Sequence, residues 1–116
     1  MPYVDLFVCP TKTDKKSQFI DDAATMAAIF KDHGALRIVD CWGTDVPDGK
    51  VTSFPLAVQA QDDETVCVSW AEWPSKEFRD AAMEKVMKDE RINHDHEPAF
   101  DLKRMIFASF ESVSEV

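Results

Sequence analysis

The strand-like stretches of this sequence are apolar on both of their faces, and this restricts what the chain can fold into. In YVDLFVCP, residues 3–10, an aliphatic row stands opposite a row that contains Tyr3 and Phe7. In RMIFASFES, residues 104–112, the apolar side chains also divide between two rows. Because successive side chains of a strand point to opposite faces, a sheet built from such strands needs apolar cover on both sides.

The hydrophobic periodicity predicts six elements in the order strand, helix, strand, strand, helix, strand. The predicted strands are 3–10, 35–42, 66–73 and 104–112, and the predicted helices are 15–33 and 75–88. Thr13 or Asp14 is expected to cap the first helix and Ser75 the second, and Gly34 suits the left-handed position after the first helix. This order predicts a single domain, 1–116, with an α+β ferredoxin-like sandwich fold: a four-stranded antiparallel sheet with two helices on one face.

The second face of that sheet is predicted to be covered by another copy of the chain. With 116 residues, one chain has no third layer to place over it. An exposed apolar face of that size marks an interaction surface. We therefore predict a homodimer formed sheet to sheet.

The charge of the chain disfavours anionic partners. The sequence has 22 acidic and 13 basic residues, a net charge of −9, and its bases are spread along the chain rather than grouped. Phosphate backbones and anionic lipid heads would be repelled by such a surface. Neither nucleic acid nor a membrane is an expected partner.

The location is expected to be cytoplasmic. The sequence opens without a charged-then-apolar leader, and it has no apolar run of the ~20 residues that span a bilayer. Cys9, Cys41 and Cys67 are odd in number and far apart, without a C-x-x-C pair. This usage is typical of reduced, buried thiols rather than of a disulfide framework or a zinc site.

Several motifs resemble those of the YbaA-like family of domains of unknown function. They are MPYVDLFVCP at 1–10, GKVTSFPLAV at 49–58, the short segments SW and WPS within 69–75, and FDLKRMIFASFE at 100–111. The resemblance implies membership of the dimeric α/β-barrel superfamily, in which ferredoxin-like protomers pair their sheets and enclose a cavity. That superfamily includes cofactor-free monooxygenases, small-ring isomerases and lyases, and haem-degrading enzymes, whereas the family itself implies no activity. Some family members are labelled as associated with the signal-recognition-particle RNA, which the charge of this chain argues against.

Arg104 is a candidate ligand residue at the start of the last predicted strand. Its planar guanidinium can bind a carboxylate at two points and stays charged when partly buried. If this strand lines the cavity between the sheets, Arg104 could hold an anionic ligand. The alternative is a structural ion pair with Asp5, Asp40 or Glu72.

The cavity face is predicted to mix aromatic rings with carboxylates, as small-molecule pockets do. The residues assigned to this face are Tyr3, Asp5, Phe7, Asp40, Trp42, Trp70, Glu72 and Phe107. Asp40 is the candidate general base, because desolvation would raise its pKa. Trp42, Trp70 and Phe107 are the candidate walls. The alternative is that the rings are dimer-core packing and the acids its solvated rim.

No metal or other cofactor is expected. The NHDHEP stretch at 93–98 offers two histidines and two acids, but it lacks a third element of a known metal site. Gly49 and Lys50 do not form a phosphate loop, because the glycine spacing is too long and Val51 stands where a hydroxyl is needed. Neither a dinucleotide-binding glycine motif nor a nucleophile elbow is present.

Two functions remain open from the sequence. The first is a homodimer that binds a small apolar or aromatic carboxylated metabolite between its sheets, with isomerase or monooxygenase-type chemistry that needs no cofactor. The second is a non-catalytic structural or binding homodimer, in which the same residues only hold the two copies together.

Overall fold

The computed structural model describes residues 2–116 and contains one antiparallel sheet of four strands. In chain order the elements are β1 (Tyr3–Lys12), α1 (Lys16–Asp32), β2 (Arg37–Trp42), α2 (Phe54–Ala57), β3 (Glu64–Trp73), α3 (Lys76–Met87) and β4 (Ile106–Glu111). The strands lie in the order β2-β3-β1-β4, and each neighbouring pair is antiparallel. The predicted α+β ferredoxin-like arrangement is confirmed.

The ends of the two long helices follow from local chemistry. Ser75 accepts a hydrogen bond from a first-turn backbone N–H of α3 at 3.1 Å, which confirms this predicted cap. Gly34 follows α1 with a φ of +107°, which confirms the predicted left-handed position. The predicted cap of α1 by Thr13 or Asp14 is wrong, because that stretch forms a short 3₁₀ helix that continues into α1 without a side-chain cap.

Both long helices pack on one face of the sheet, which we call the helix-side face. Ala71 and Trp73 of β3 lie on it, because they pack with Phe30 of α1 and Val86 of α3. Residues that pair across neighbouring strands share a face. The pairing places on the helix-side face Tyr3, Asp5, Phe7 and Cys9 of β1, Ile38, Asp40 and Trp42 of β2, and Phe107 and Ser109 of β4.

The opposite face of the sheet, which we call the open face, has no helix layer over most of its area in residues 2–116. Its residues are Val4, Leu6, Val39, Cys41, Val68, Trp70, Ile106, Ala108 and Phe110. Ile106 and Phe110 remain 45% and 51% exposed. The apolar character that the sequence indicated for both sheet faces is therefore present in the structure.

One end of the open face is covered by the chain itself. Ser53 caps the short helix α2 through a hydrogen bond from a backbone N–H at 3.1 Å. Just beyond α2, Val58 is buried against Val8 and Val66. The expectation that the chain has nothing to place over this face is therefore wrong at this end of the sheet.

Membrane insertion has no support in the helices of residues 2–116. None of them combines the length and the apolar composition that crossing a bilayer requires.

Candidate functional site

A buried carboxylate, Asp5, lies at the centre of a polar group between β1, β3, β4 and α3. Only 6% of Asp5 is exposed. The indole Nε1 of Trp73 donates to its Oδ2 at 3.1 Å, and the Ser109 hydroxyl donates to its Oδ1 at 2.6 Å. Because a buried carboxylate is costly without hydrogen bonds, these two donors are what allow Asp5 to lie inside the protein.

Arg79 of α3 completes this group. Its NH2 donates to the Tyr3 hydroxyl at 3.2 Å and to the Ser109 hydroxyl at 3.1 Å, and its guanidinium carbon lies 5.1 Å from the Tyr3 ring centroid. Its Nε lies 3.2 Å from Asp80 Oδ1 and 3.8 Å from Asp5 Oδ1, but neither contact has hydrogen-bond geometry, so this buried Nε has no hydrogen-bond acceptor within residues 2–116. We call Tyr3, Asp5, Trp73, Arg79 and Ser109 the Asp5 cluster.

The local sequence explains how α3 brings Arg79 to the sheet. Pro74 ends the chain segment of β3, and Ser75 caps the helix that follows at once. The Arg79 backbone N–H donates to the Ser75 carbonyl at 3.0 Å, so Arg79 lies one helical turn beyond the cap. This short connection holds the guanidinium over the end of β1.

Two aromatic rings extend the Asp5 cluster along the helix-side face. Phe7 and Phe107 are directly paired across β1 and β4, and their ring centroids lie 6.3 Å apart at an interplanar angle of 30°. Phe107 is 69% exposed although it faces the side of the sheet that carries the helices. We call Phe7 and Phe107 the aromatic shelf.

Asp40 and Trp42 lie together in a separate depression at the β2 edge of the sheet. This depression has a volume of about 420 Å³ and is lined by Lys16, Phe19, Ile20, Ala23, Ala24, Asp40 and Trp42. The Trp42 ring lies 5.6 Å from the Phe19 ring, and the Lys16 ammonium lies 5.5 Å from the Trp42 ring centroid. The predicted base and one predicted wall therefore share a concave surface, but on the helix-side face.

Trp70 lies on the open face, where its indole donates to Glu72 Oε2 at 3.2 Å. The expectation that Trp70 shares one cavity face with Tyr3, Asp40 and Trp42 is therefore wrong. It fails because Trp70 pairs with Val39 across β2 and β3, whereas Asp40 pairs with Ser69. The register between neighbouring strands decides which of their side-chain rows lie on the same face of the sheet.

Arg104 binds protein carboxylates in a turn before β4, not in a strand as predicted. Its two terminal nitrogens donate to Glu64 at 2.7 and 2.6 Å, and its Nε donates to Asp101 at 2.7 Å. It also donates to the Gln59 carbonyl at 2.9 Å. The alternative of a structural ion pair fits this geometry, although the acids are not the Asp5, Asp40 or Glu72 that were named for it.

Hydrogen bonding in the Arg104 group shifts several pKa values. The guanidinium holds the pKa of Glu64 below its usual 4.5 and that of Asp101 below its usual 3.8, because it bonds their charged forms. The same bonds raise the pKa of Arg104 itself. Four of its five N–H groups are used by protein acceptors, which leaves little for a ligand.

His33 and His96 contact carboxylates outside these groups, whereas Cys9 and Cys67 pack with Phe19 beside Trp42. His96 contacts the Asp22 carboxylate at 2.9 Å, and among residues 2–116 no three His, Cys, Asp or Glu side chains are placed to hold a metal ion. All three cysteines are free. Burial, followed by the proximity of Cys67, raises the pKa of Cys9 to about 12, so this thiol is not a ready nucleophile.

The sequence analysis missed Arg79 and Ser109. One signal was available for each: Arg79 lies four residues after the cap Ser75, and Ser109 lies two residues from Phe107 in the same strand row. A search along the row of Tyr3 and Asp5 for polar partners could have found Ser109. Arg79 could be linked to Asp5 only once the position of α3 was known.

Comparison with known proteins identifies relatives across the whole chain. A family model described as "Protein of unknown function (DUF1428)" matches residues 2–102. The uncharacterized protein YbaA of Escherichia coli K12 is 54% identical over 114 residues, which is 97% of each chain, and so is the YbaA protein of Shigella flexneri.

One solved structure shares the fold. A crystal structure of an MhuD mutant, with two manganese protoporphyrin IX molecules bound per active site, superimposes with a TM-score of 0.61. It is 16% identical and covers 99% of this chain and 98% of its own. At this identity the likeness shows the fold alone.

Proposed function

We propose a function for this chain, which belongs to the DUF1428 family of proteins of unknown function: it binds a small, flat, largely apolar ligand that carries a carboxylate, and it does so as a homodimer. The ligand site is the aromatic shelf beside the Asp5 cluster. The homodimer forms through the open face.

One observation carries the ligand site. Phe107 is 69% exposed on the helix-side face, although both long helices pack on that face. An exposed large ring beside a second ring and a buried polar group has the composition of a small-molecule site, which is mostly apolar with a few convergent polar groups. The predicted residues Tyr3 and Phe107 both belong to this surface.

The chemistry of the surface suggests how a ligand would lie. A flat ring system would stack on Phe7 and Phe107, since offset aromatic pairs are favourable. Its carboxylate would face Arg79, whose side chain is still 22% exposed and whose planar fork suits carboxylates. Asp5 and Ser109 would act by holding the guanidinium in position.

The protein of the MhuD structure is consistent with such a ligand class. It holds flat, carboxylated porphyrins in its active site and has the same fold. This supports a flat ligand for the present chain without specifying a porphyrin, because fold alone does not carry function.

The second copy is proposed to cover the open face. Four strands about 4.8 Å apart and about 20 Å long give this face a flat projection of roughly 400 Å². This is about half of the ~800 Å² per partner that stable interfaces bury, so segments beside the sheet would contribute the rest of the interface. The register places two charged pairs on this face, Arg37 with Glu72 and Lys12 with Glu64, at opposite ends of β3, so the centre can meet an identical apolar surface.

This arrangement differs from a ligand chamber between two sheets. Trp70 becomes an interface residue, whereas Tyr3 and Phe107 face away from the second copy. Arg104 is proposed as a structural residue, since Glu64 and Asp101 already bind it.

Titration with 2-naphthoate tests the ligand site, and 2-naphthamide, which lacks the charge, tests the carboxylate. We expect 2-naphthoate to bind the wild type more tightly than the amide does, and Phe107→Ala to weaken binding roughly tenfold. Leu36→Ala changes an exposed apolar residue before β2, at the far edge of the sheet; it is the matched control and should bind as the wild type. Equal affinity of Phe107→Ala and Leu36→Ala, or no binding to folded wild type, would overturn this site.

Sedimentation velocity tests the homodimer with two neighbouring residues of β4 that lie on opposite faces. Ile106→Glu places a charge on the open face and should give monomers, because an unpaired charge would be buried at the interface. Phe107→Glu places the same charge on the helix-side face and should leave the dimer intact. A monomeric wild type, or dissociation by Phe107→Glu alone, would contradict the proposed interface.

A further inference from the structure

The depression at the β2 edge contains two unpaired side chains of opposite charge. In residues 2–116, Lys16 and Asp40 form no ion pair within 4 Å, whereas Lys12, Lys76, Arg79, Arg91 and Arg104 each have an acidic partner. Both charged residues line the same depression of about 420 Å³. Other exposed lysines of this range, such as Lys15 and Lys50, also lack an acidic partner; Lys16 and Asp40 differ from them because the two opposite charges line one depression.

The walls between these two charges are apolar. Trp42 and Phe19 form a tilted aromatic pair, and the Lys16 ammonium lies 5.5 Å from the Trp42 ring. Ile20, Ala23 and Ala24 of α1 supply the remaining wall. Ile20 is 55% exposed, so this wall faces solvent. The volume lies within the range of about 300–1,000 Å³ that is usual for small-molecule sites.

We propose that this depression binds a free amino acid with an apolar or aromatic side chain. Lys16 binds its carboxylate, Asp40 binds its ammonium, and the side chain packs against Trp42, Phe19 and Ile20. The site is separate from the aromatic shelf, which lies on the β1 and β4 half of the sheet.

The two charged residues of the depression favour a zwitterion over an anion at this place. A carboxylate ligand without an ammonium group would lie beside the Asp40 carboxylate with nothing to balance that charge. The two opposite charges of an amino acid match Lys16 and Asp40, which line the same depression.

Three related compounds test the proposal. L-phenylalanine has both charges, 3-phenylpropanoate lacks the ammonium group, and phenethylamine lacks the carboxylate. Isothermal titration of the wild-type protein should show L-phenylalanine binding roughly tenfold more tightly than either of the other two, since each lost charge-assisted hydrogen bond weakens binding by about this factor.

Charge-removing variants locate the site. Asp40→Asn should remove the preference of L-phenylalanine over 3-phenylpropanoate, and Lys16→Gln should remove its preference over phenethylamine. Lys15→Gln and Asp14→Asn are matched controls, because they are exposed neighbours outside the depression and should bind as the wild type. All four positions are exposed, so folding should be retained, and circular dichroism checks this.

Other results would overturn the inference. If the three compounds bind equally, or if Asp40→Asn and Lys16→Gln behave as their controls, the two charges do not select a zwitterion. If folded wild type shows no binding of L-phenylalanine near its solubility limit, the depression is not an amino-acid site.

The Phe107→Ala variant distinguishes this site from the aromatic shelf. It should bind L-phenylalanine as the wild type does, because Phe107 lies outside the depression.

Discussion

Arg104 and Glu64 form a two-point ion pair: the two terminal nitrogens of the guanidinium donate to the two carboxylate oxygens at 2.7 and 2.6 Å. The Glu64 side chain is only 2% exposed and that of Arg104 is 19% exposed. The pair joins the first residue of β3 to the turn before β4. The ion pair therefore holds the turn that leads into the edge strand β4 against β3, a central strand of the sheet.

The first prediction concerns the neighbouring acids Asp63 and Glu64. Glu64→Gln should lower the urea unfolding midpoint clearly, because Arg104 would lose the carboxylate that binds it at two points and keep only Asp101 as a charged partner. Asp63→Asn is the matched control: it breaks an exposed pair with Lys12, so the midpoint should change little. If the two substitutions lower the unfolding midpoint equally, Glu64 does not stabilise the protein more than the exposed Asp63 does.

The second prediction is a loss of stability in acid that depends on Arg104. The folded-state pKa values of Glu64 and Asp101 lie below their ordinary 4.5 and 3.8, because Arg104 bonds both carboxylates. The native state therefore binds fewer protons than the unfolded state, so this stabilisation is complete above about pH 5 and is lost as the pH falls through the folded-state pKa values.

Urea unfolding from neutral pH down to about pH 3 measures this loss. The stability of the wild type should fall more steeply in acid than that of Arg104→Gln, in which neither carboxylate has its partner. Asp89, whose pKa is lowered by Arg91, remains in both proteins and cancels in the comparison. Parallel curves for the two proteins would show that Arg104 does not cause the loss.

The third prediction concerns the centre of the Asp5 cluster. Asp5→Asn replaces one acceptor oxygen by an amide nitrogen, so either the buried Trp73 indole or the Ser109 hydroxyl loses its acceptor at the buried Asp5 position. Leaving a buried polar group unpaired costs about 1–3 kcal/mol of stability. Urea unfolding measures this loss, and Asp80→Asn on the exposed side of Arg79 is the control. A loss no larger than that of the control would mean that Asp5 is not held as described.

The fourth prediction concerns Gly34. Its φ of +107° is strained for other residues, and a Cβ there would lie 2.5 Å from the Phe78 ring. Gly34→Ala should therefore destabilise the protein by about 1–3 kcal/mol. The double variant Gly34→Ala/Phe78→Ala separates the two causes, because removing the ring relieves the contact but not the backbone strain. If Gly34→Ala alone is neutral, both causes are wrong.

Most of the fold could be predicted from the sequence, because its signals are local. The alternation in β1, the cap Ser75 and the terminating Gly34 act within a few residues, so they identify elements and their ends. The α1 cap was mispredicted because Thr13 and Asp14 lie in a 3₁₀ helix, which pattern alone does not distinguish from the start of an α-helix.

The candidate site was harder to predict, because it depends on relations between distant strands. The sequence shows that Trp70 and Glu72 share a row, but only pairing with β2 shows that Asp40 lies on the other face. With apolar residues in both rows, hydrophobicity could not decide between them. Glu64, which Arg104 binds at two points, is 40 positions away in the sequence, and no local pattern indicates it.

The three tryptophans lie in three different parts of this protein, so each part has its own fluorescence signal. Trp73 is fully buried beside Asp5, Trp42 borders the depression under Lys16, and Trp70 lies on the open face. Variants that retain a single indole would let fluorescence follow the interior, the β2 edge and the uncovered sheet one at a time. Occupancy of one place and self-association at another could then be read in the same cuvette without any added label.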